Sequence, residues 1–432
     1  MKLIHTADWH LGQRFHGQSR HNEHRDFLDW LLGTLTERQP DALLIAGDIF
    51  DVVNPSMAAQ SLLYDFLINA HERLPHLTIV MIAGNHDSGT RVELPAPLLR
   101  RLNTHALGRI LWHDSGEPDV DRLIVPLPDR HGDIRAWCLA LPFLRPAEVT
   151  GGPGEAVSTE TSHTSETGSR PAGDRYVQGM VRVHEALFEA GRQRREPGQA
   201  LIAMSHAHLH GASVSEHSER PIVIGGEESL PASLFPAEVA YVALGHLHKP
   251  QRVGSDHIRY SGSPLAMDFS ETHYPHQVLD VTLEGEHLKE VTSLPIPRSV
   301  AMHRVGPLAL DDVLDALAGA DLLDDTQTDL PRDQWPWLDV RVILDAPRVD
   351  LRPLIEQALK GKAVRLVSIT TRMARTQMPD QAGESLDALG PADLFSRTWA
   401  REYGTPPPNE VMNDVQALLQ ELLDDEPSED TP

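Results

Sequence analysis

Ile79-Val80-Met81-Ile82-Ala83-Gly84-Asn85-His86-Asp87 is an apolar, β-branched run that stops at a glycine and gives way at once to an amide, an imidazole and a carboxylate. Continuous hydrophobicity of this kind marks a strand covered on both faces. Its polar end then lies at the rim of a sheet, where α/β proteins bind ligands. Four other apolar runs end in the same way. Lys2 to Ala7 leads into Asp8-Trp9-His10, and Ala42 to Ala46 into Gly47-Asp48-Ile49-Phe50-Asp51. Ala200 to Met204 leads into Ser205-His206, and Glu238 to Leu244 into Gly245-His246-Leu247-His248.

Helical patterns fill the gaps between the first three runs. From Asn22 to Arg38, Phe27, Leu28, Leu31, Leu32 and Leu35 fall on one face. Asn54-Pro55 is expected to open a second helix reaching Leu74, with Asn54 as N-cap. The apolar surface of that helix is wide, which admits a contact with another subunit or an ordinary buried helix. Strand–helix–strand repetition of this sort predicts a layered α/β domain.

The 432 residues carry a net charge of -25, with 40% hydrophobic and 23% charged residues. That describes a globular chain of two or three domains, and its acidity argues against nonspecific binding to nucleic acid or anionic membranes. Any DNA contact must come from a local basic surface or from bound cations. The lone Cys138 excludes an internal disulfide and a thiolate metal cage. No run approaches the roughly 20 residues of a membrane span, and only Leu3-Ile4 precedes His5, so a cytoplasmic protein without a signal peptide is expected.

Further along, residues 108–145 hold short strand-like pieces, residues 150–174 read as a flexible surface loop, and a helix is expected from Tyr176 to Arg195. Residues 259–264 and 277–283 look like strands closing the first domain, and Pro295-Ile-Pro297 reads as a linker. The expected division is a domain over residues 1–295, a small α+β domain over 300–375, and C-terminal helices with an acidic tail over 385–432. Within the second, eight basic side chains from Arg341 to Arg375 face three acidic ones, Asp345, Asp350 and Glu356. Phosphate contact and a merely solvated face both remain open there. The tail helices carry apolar stripes, such as Leu394, Phe395, Trp399 and Tyr403, that fit either a partner groove or the chain's own body.

Each polar strand end is weak evidence alone, because Asp-x-His and Gly-Asp recur by chance. Gly245-His246-x-His248 is the strongest single piece, since residues two apart on a strand point the same way. Five such ends in one chain are another matter. Imidazole with carboxylate or amide oxygen suits Mn, Fe or Zn. Two cations roughly 3.5–4 Å apart need a bridging anion, and Asp48 is the natural bridge. Such a pair would activate water against a phosphodiester, so no Ser or Cys nucleophile is required.

The order Asp-x-His, Gly-Asp-x-x-Asp, Gly-Asn-His-Asp, His, Gly-His-x-His resembles the calcineurin-like metallophosphoesterase superfamily. Residues 5–12, 47–51, 243–248 and 260–264 resemble its branch of nuclease subunits that work with SbcC-type ATPases. The resemblance implies a four-layer α/β/β/α sandwich with a small α+β capping domain. It implies one metal held by Asp8, His10, Asp48 and His248, and the other by Asp48, Asn85, His206 and His246. His86 would stand beside the metals to stabilise charge or protonate the leaving oxygen, with Asp51 orienting it. His208 and His210 are rivals to His206. It also implies Mn2+ as cofactor, duplex DNA seated by the capping domain, docking of the tail helices on the ATPase, and a homodimer within a heterotetramer. The activity implied is exonuclease on double-strand ends and endonuclease on single strands and hairpins. A phosphatase of the same superfamily and a non-catalytic DNA-end scaffold are the competing readings.

Overall fold

The computed structural model describes residues 1–149, 172–215, 229–319, 330–374, 391–408 and 411–415. The first domain is built on two six-stranded sheets. One has the order β12-β11-β1-β2-β3-β4, from β1 (Lys2–Thr6), β2 (Ala42–Ala46), β3 (Thr78–Ile82), β4 (Thr104–Leu107), β11 (Gln277–Glu284) and β12 (His287–Pro295). The other has the order β9-β10-β8-β7-β6-β5, from β5 (Ile124–Pro128), β6 (Ile134–Leu141), β7 (Ala200–His206), β8 (Val239–Gly245), β9 (Gln251–Val253) and β10 (Ser255–Tyr260). β1 to β4 run parallel, as do β6, β7, β8 and β10.

The side-chain alternation of β2 defines the layers. Leu43 and Ile45 join Leu31, Leu35, Leu63 and Leu67 of helices α1 (His21–Arg38) and α2 (Met57–Arg73). Leu44 and Ala46 face the other way and join Ile202 and Val242 of the second sheet, in a core that also takes in Met180, Leu187 and Phe188 of helix α3 (Ala172–Arg194). With all five β2 residues buried, both faces of the strand are covered and the result is an α/β/β/α sandwich, as expected. Burying a side chain such as Leu44 is worth about 1.5–3 kcal/mol.

Four local expectations are corrected. Helix α2 starts at Met57, capped by Ser56, whose hydroxyl accepts from the Ala59 amide at 3.2 Å; Asn54 and Pro55 precede it. Residues 172–174, expected in a loop, open α3, while 150–171 lie outside the described residues. Strand β10 ends at Tyr260 rather than spanning 259–264. Strand β12 was not expected. Its pattern is largely exposed, as on a sheet edge, and gives little hydrophobic signal.

The chain divides into two compact units. One holds the described residues of Met1–Arg304, Asp321–Asp339 and Gly361–Ser368, and the other those of Val305–Ala320, Val340–Lys360 and Ile369–Pro432. A three-stranded sheet has the order β13-β14-β15, from β13 (Met302–Ala309, not expected), β14 (Trp337–Leu344) and β15 (Arg365–Met373). Helices α4 (Leu310–Ala318) and α5 (Leu351–Ala358) each bury one face, Val313 and Leu317 on the first, Leu351 and Ile355 on the second. The basic stretch is partly neutralised from within. Arg348 pairs with Asp350 at 2.7 Å and Arg352 with Glu356 at 3.4 Å. The guanidinium of Arg365 lies 3.4 Å over the Trp337 ring. Helix α6 (Pro391–Tyr403) is the first of the expected tail helices; most of the second and the acidic end lie outside the described residues. No described helix is long and apolar enough to cross a membrane.

One buried group makes the fold sensitive to acid. His184 of α3 is held to about 4 by burial, against which the Met180 carbonyl, 2.7 Å from Nδ1, pulls upward. The folded chain therefore refuses a proton that the unfolded chain accepts below about 6.5. Stability should be complete above that pH and fall as pH drops from about 6.5 towards 4, by up to about 3 kcal/mol from this residue. Urea unfolding of His184→Leu should show a shallower loss between pH 7 and 5 than the parent. A pH-independent gap between the two would refute the assignment.

Candidate metal centre

The first three motifs lie at the C-terminal ends of β1, β2 and β3, the last two at those of β7 and β8. Beyond β1 and β2 the chains stay laced together: Asp8 N donates to Gly47 O at 3.0 Å, His10 N to Asp48 O at 2.9 Å and Leu11 N to Ile49 O at 2.9 Å. The backbone here is left-handed at side chains that avoid that region, with φ of 54° at Asp8, 45° at His10 and 48° at Asp48, and φ is also positive, 102°, at His246 beyond β8. Such strain persists only where the surroundings over-determine it, which is characteristic of functional sites.

Two glycines are required by close approach. A Cβ at Gly84 would lie 2.2 Å from Asp48 Oδ1, and one at Gly245 would lie 1.9 Å from the Ala46 carbonyl oxygen. The loops are fastened by carboxylates. Buried Asp87 accepts from the amides of Ile49, Phe50 and Gly84 at 3.1, 2.9 and 2.9 Å. Asp8 Oδ1 accepts from His246 N at 2.9 Å and so ties the rim of one sheet to that of the other.

All nine nominated residues meet at this rim. Asp48 is central: Oδ2 lies 3.7 Å from His10 Nε2 and 3.5 Å from His206 Nε2, while Oδ1 accepts from His86 N at 2.8 Å. On one side Asn85 Oδ1 lies 2.8 Å from His206 Nε2 and 3.3 Å from His246 Nδ1. His206 Nδ1 donates to the Ala46 carbonyl at 2.9 Å, which leaves Nε2 to face Asp48 and Asn85. On the other side His10 and His248 meet edge to face at 5.2 Å, with Asp48 Oδ2 beside His10. His86 Nδ1 is 2.8 Å from the Asp51 carbonyl oxygen, and the Asp51 carboxylate is 3.6 Å from His10 Nδ1. Asp51 thus meets His86 through its main chain. Donor atoms of His10, Asp48 and His86 lie within 4.8 Å of one another, as do those of Asp8, Asp48 and His206. Of the rivals, His208 has its ring 6.4 Å from that of His246, and His210 meets Ser229 Oγ at 3.4 Å.

The residues fit cations. Asp8 Oδ2 and both ring nitrogens of His10 are buried without a hydrogen-bond partner, a costly state that a metal ion relieves. Burial raises the Asp8 carboxyl. It also raises Asp87, to about 7, with Asp48 adding to the effect. Burial opposes ionisation of Asp48, but His206 and His10 hold it well below the carboxylate range. Burial would lower His206, yet Asp48 and Asp8 lift it to about 9. The field of the site therefore draws positive charge to the place where cations are expected. Cys138, in β6, has its thiol pushed far up by burial and offers no thiolate.

A family model described as calcineurin-like phosphoesterase matches residues 1–250, and one described as type 5 capsule protein repressor C-terminal domain matches 298–403. The SbcD subunit of nuclease SbcCD from Rhodobacter capsulatus is 38% identical over 397 residues, covering 92% of this chain and 94% of that one. Its Escherichia coli K12 namesake is 31% identical over 428 residues, 98% of this chain and 97% of the other. That of Bacillus subtilis is 36% identical over 285 residues, covering 64% of this chain and 65% of the other. The chain belongs to the SbcD family of calcineurin-like phosphoesterases. It is thereby a metallophosphoesterase of the nuclease class.

Residues of this SbcD family member that the motifs did not single out complete the centre. Glu271 accepts from His248 Nδ1 at 2.9 Å. His5 Nδ1 lies 2.8 Å from the Tyr241 hydroxyl and Nε2 3.2 Å from the Leu244 carbonyl, bridging the two sheets beneath the site. Asp87 lies inside the third motif, whose spelling suggests no role for it. For His5 the available signal is a polar residue inside an apolar strand; for Glu271 there is none.

Proposed function

We propose that the chain hydrolyses phosphodiester bonds of DNA at a centre of two divalent cations, Mn2+ by preference. It acts as an exonuclease on double-strand ends and an endonuclease on single strands and hairpins, with an SbcC-type ATPase, in repair and recombination of DNA. The observation that carries the reading is the set of donors around Asp48, with Asp8 Oδ2 and the His10 nitrogens buried without a hydrogen bond. Asp8, His10, Asp48 and His248 would hold one cation, and Asp48, Asn85, His206 and His246 the other. When bound, such a pair polarises the phosphoryl oxygens and supplies hydroxide at neutral pH. His86 adds a proton donor beside the centre, held by the Asp51 carbonyl.

The partners rest on different support. The SbcCD names of the relatives support the ATPase and DNA. The division into residues 1–295, 300–375 and 385–432 follows the sequence pattern, and the roles of the later parts as cap and docking helices follow the family resemblance. Self-association is supported by exposed apolar side chains at the start of α2 and beyond β3, Met57 at 78%, Leu94 at 77% and Leu98 at 72% exposure.

Purified protein should cleave linear duplex and hairpin DNA in Mn2+ far faster than a generic phosphate bis-ester, and the large ATPase should make duplex cleavage ATP-dependent. Equal or better turnover of the bis-ester, with DNA untouched, would instead favour a phosphatase-like enzyme. Failure to bind metal would favour a scaffold.

A further inference from the structure

We propose that Glu271 is a positioning residue for the metal centre: it fixes the tautomer and orientation of His248, leaving Nε2 as the donor atom of that ring. The inference rests on the two-cation reading above and adds a residue to it.

Glu271 is fully buried, and a buried carboxylate must be paired. Both its oxygens are engaged. Oε1 accepts from His248 Nδ1 at 2.9 Å, and Oε2 accepts from Met267 N at 2.7 Å. The first contact fixes the imidazole; the second fixes Glu271 itself by closing its own loop. The loop is anchored in turn. The short helical turn Phe269–Glu271 is opened by Asp268, whose carboxylate accepts from Ser270 N at 2.7 Å. The Ala266 carbonyl accepts from Arg20 Nη1 at 2.7 Å, and Arg20 is itself buried and clamped to Glu23 through Nε and Nη2 at 3.0 and 2.8 Å. Phe269 packs on Phe15, ring centroids 5.1 Å apart. The carboxylate therefore stands at a fixed point behind the ring.

A carboxylate that accepts from one imidazole nitrogen determines which nitrogen keeps its lone pair, and it raises the basicity of that nitrogen towards a metal. Loss of such a partner costs about 10–100-fold in metal affinity. The tie to Met267 would serve a loop with no metal nearby. The tie to His248 instead reaches a ring that the two-cation reading assigns to a metal.

The test is titration of Glu271→Gln and Glu271→Ala with Co2+, without nucleic acid, followed by calorimetry and the visible absorption of the ion. Unaltered protein should take two ions. Glu271→Gln keeps the shape and one acceptor, so it should fold as the parent by circular dichroism, bind one ion about tenfold more weakly and show a shifted absorption band. Glu271→Ala should weaken the same ion by up to about 100-fold, with the second ion unaffected. A folded Glu271→Gln protein that takes both ions at parental affinity, with an unchanged band, overturns the assignment. Unaltered protein that takes no Co2+ overturns the two-cation reading, and this inference falls with it.

Discussion

Replacing Asp48 by Asn should reduce DNA cleavage in Mn2+ by about 10³-fold or more and lower the number of tightly bound ions from two to one or none. The loss of several kcal/mol of charge stabilisation is worth that factor. Asp48 Oδ2 stands within 3.7 Å of His10 and 3.5 Å of His206, one ring from each proposed donor set, so its charge serves both sides. The amide removes that charge while its oxygen can still accept from His86 N, the bond of 2.8 Å that Oδ1 makes now. The loop beyond β2 should therefore keep its shape, held also by the three amides on Asp87. Metal analysis of the purified variant beside a plasmid cleavage assay decides the matter. Two bound ions with a parental rate would remove Asp48 from its bridging place.

His86→Ala should retain both ions yet lose about 10²–10⁴-fold in cleavage, the usual worth of a positioned general acid. The His86 ring meets that of His10 edge to face at 4.7 Å, and its Nδ1 is occupied by the Asp51 carbonyl. It stands at the site by a main-chain tether rather than by any need of the donor sets. Its donor atoms are nonetheless close enough to His10 and Asp48 for ligation, so the experiment separates two roles. A drop from two ions to one would make His86 a ligand, and a parental rate would leave it without a part in the chemistry. A leaving group that needs no proton should narrow the loss in the variant if His86 acts as an acid.

Nearly all of the candidate site was legible because its parts are local. Asp8, Asp48, Asn85, His206 and His246 each stand within a few residues of an apolar run, and a strand that ends in polar groups delivers them to a rim whatever the rest of the chain does. The start of α2 was misread for an equally local reason: Asn54-Pro55 carries a capping signature, but Ser56 offers a better-placed hydroxyl one residue before the helix. The basic stretch shows where counting fails. Arg348 and Arg352 find carboxylates two and four residues away, and Arg365 spends its face on an indole, so charge in sequence overstates what is presented outward.

The sequence alone determined the layered α/β domain, the order of the polar strand ends, the residue types at the rim and, through them, a metal-dependent chemistry. These follow from periodicity and from what lies within a few residues along the chain. Only the tertiary structure decided that Asp8 Oδ1 would fasten His246, that His5 would span two sheets, that Asp51 would meet His86 through its carbonyl, and that Glu271 would stand behind His248, 23 residues away in sequence. Those contacts depend on how one sheet stacks on the other and on where a loop is anchored by Arg20. Such distances are set by packing across the core, which no local pattern encodes.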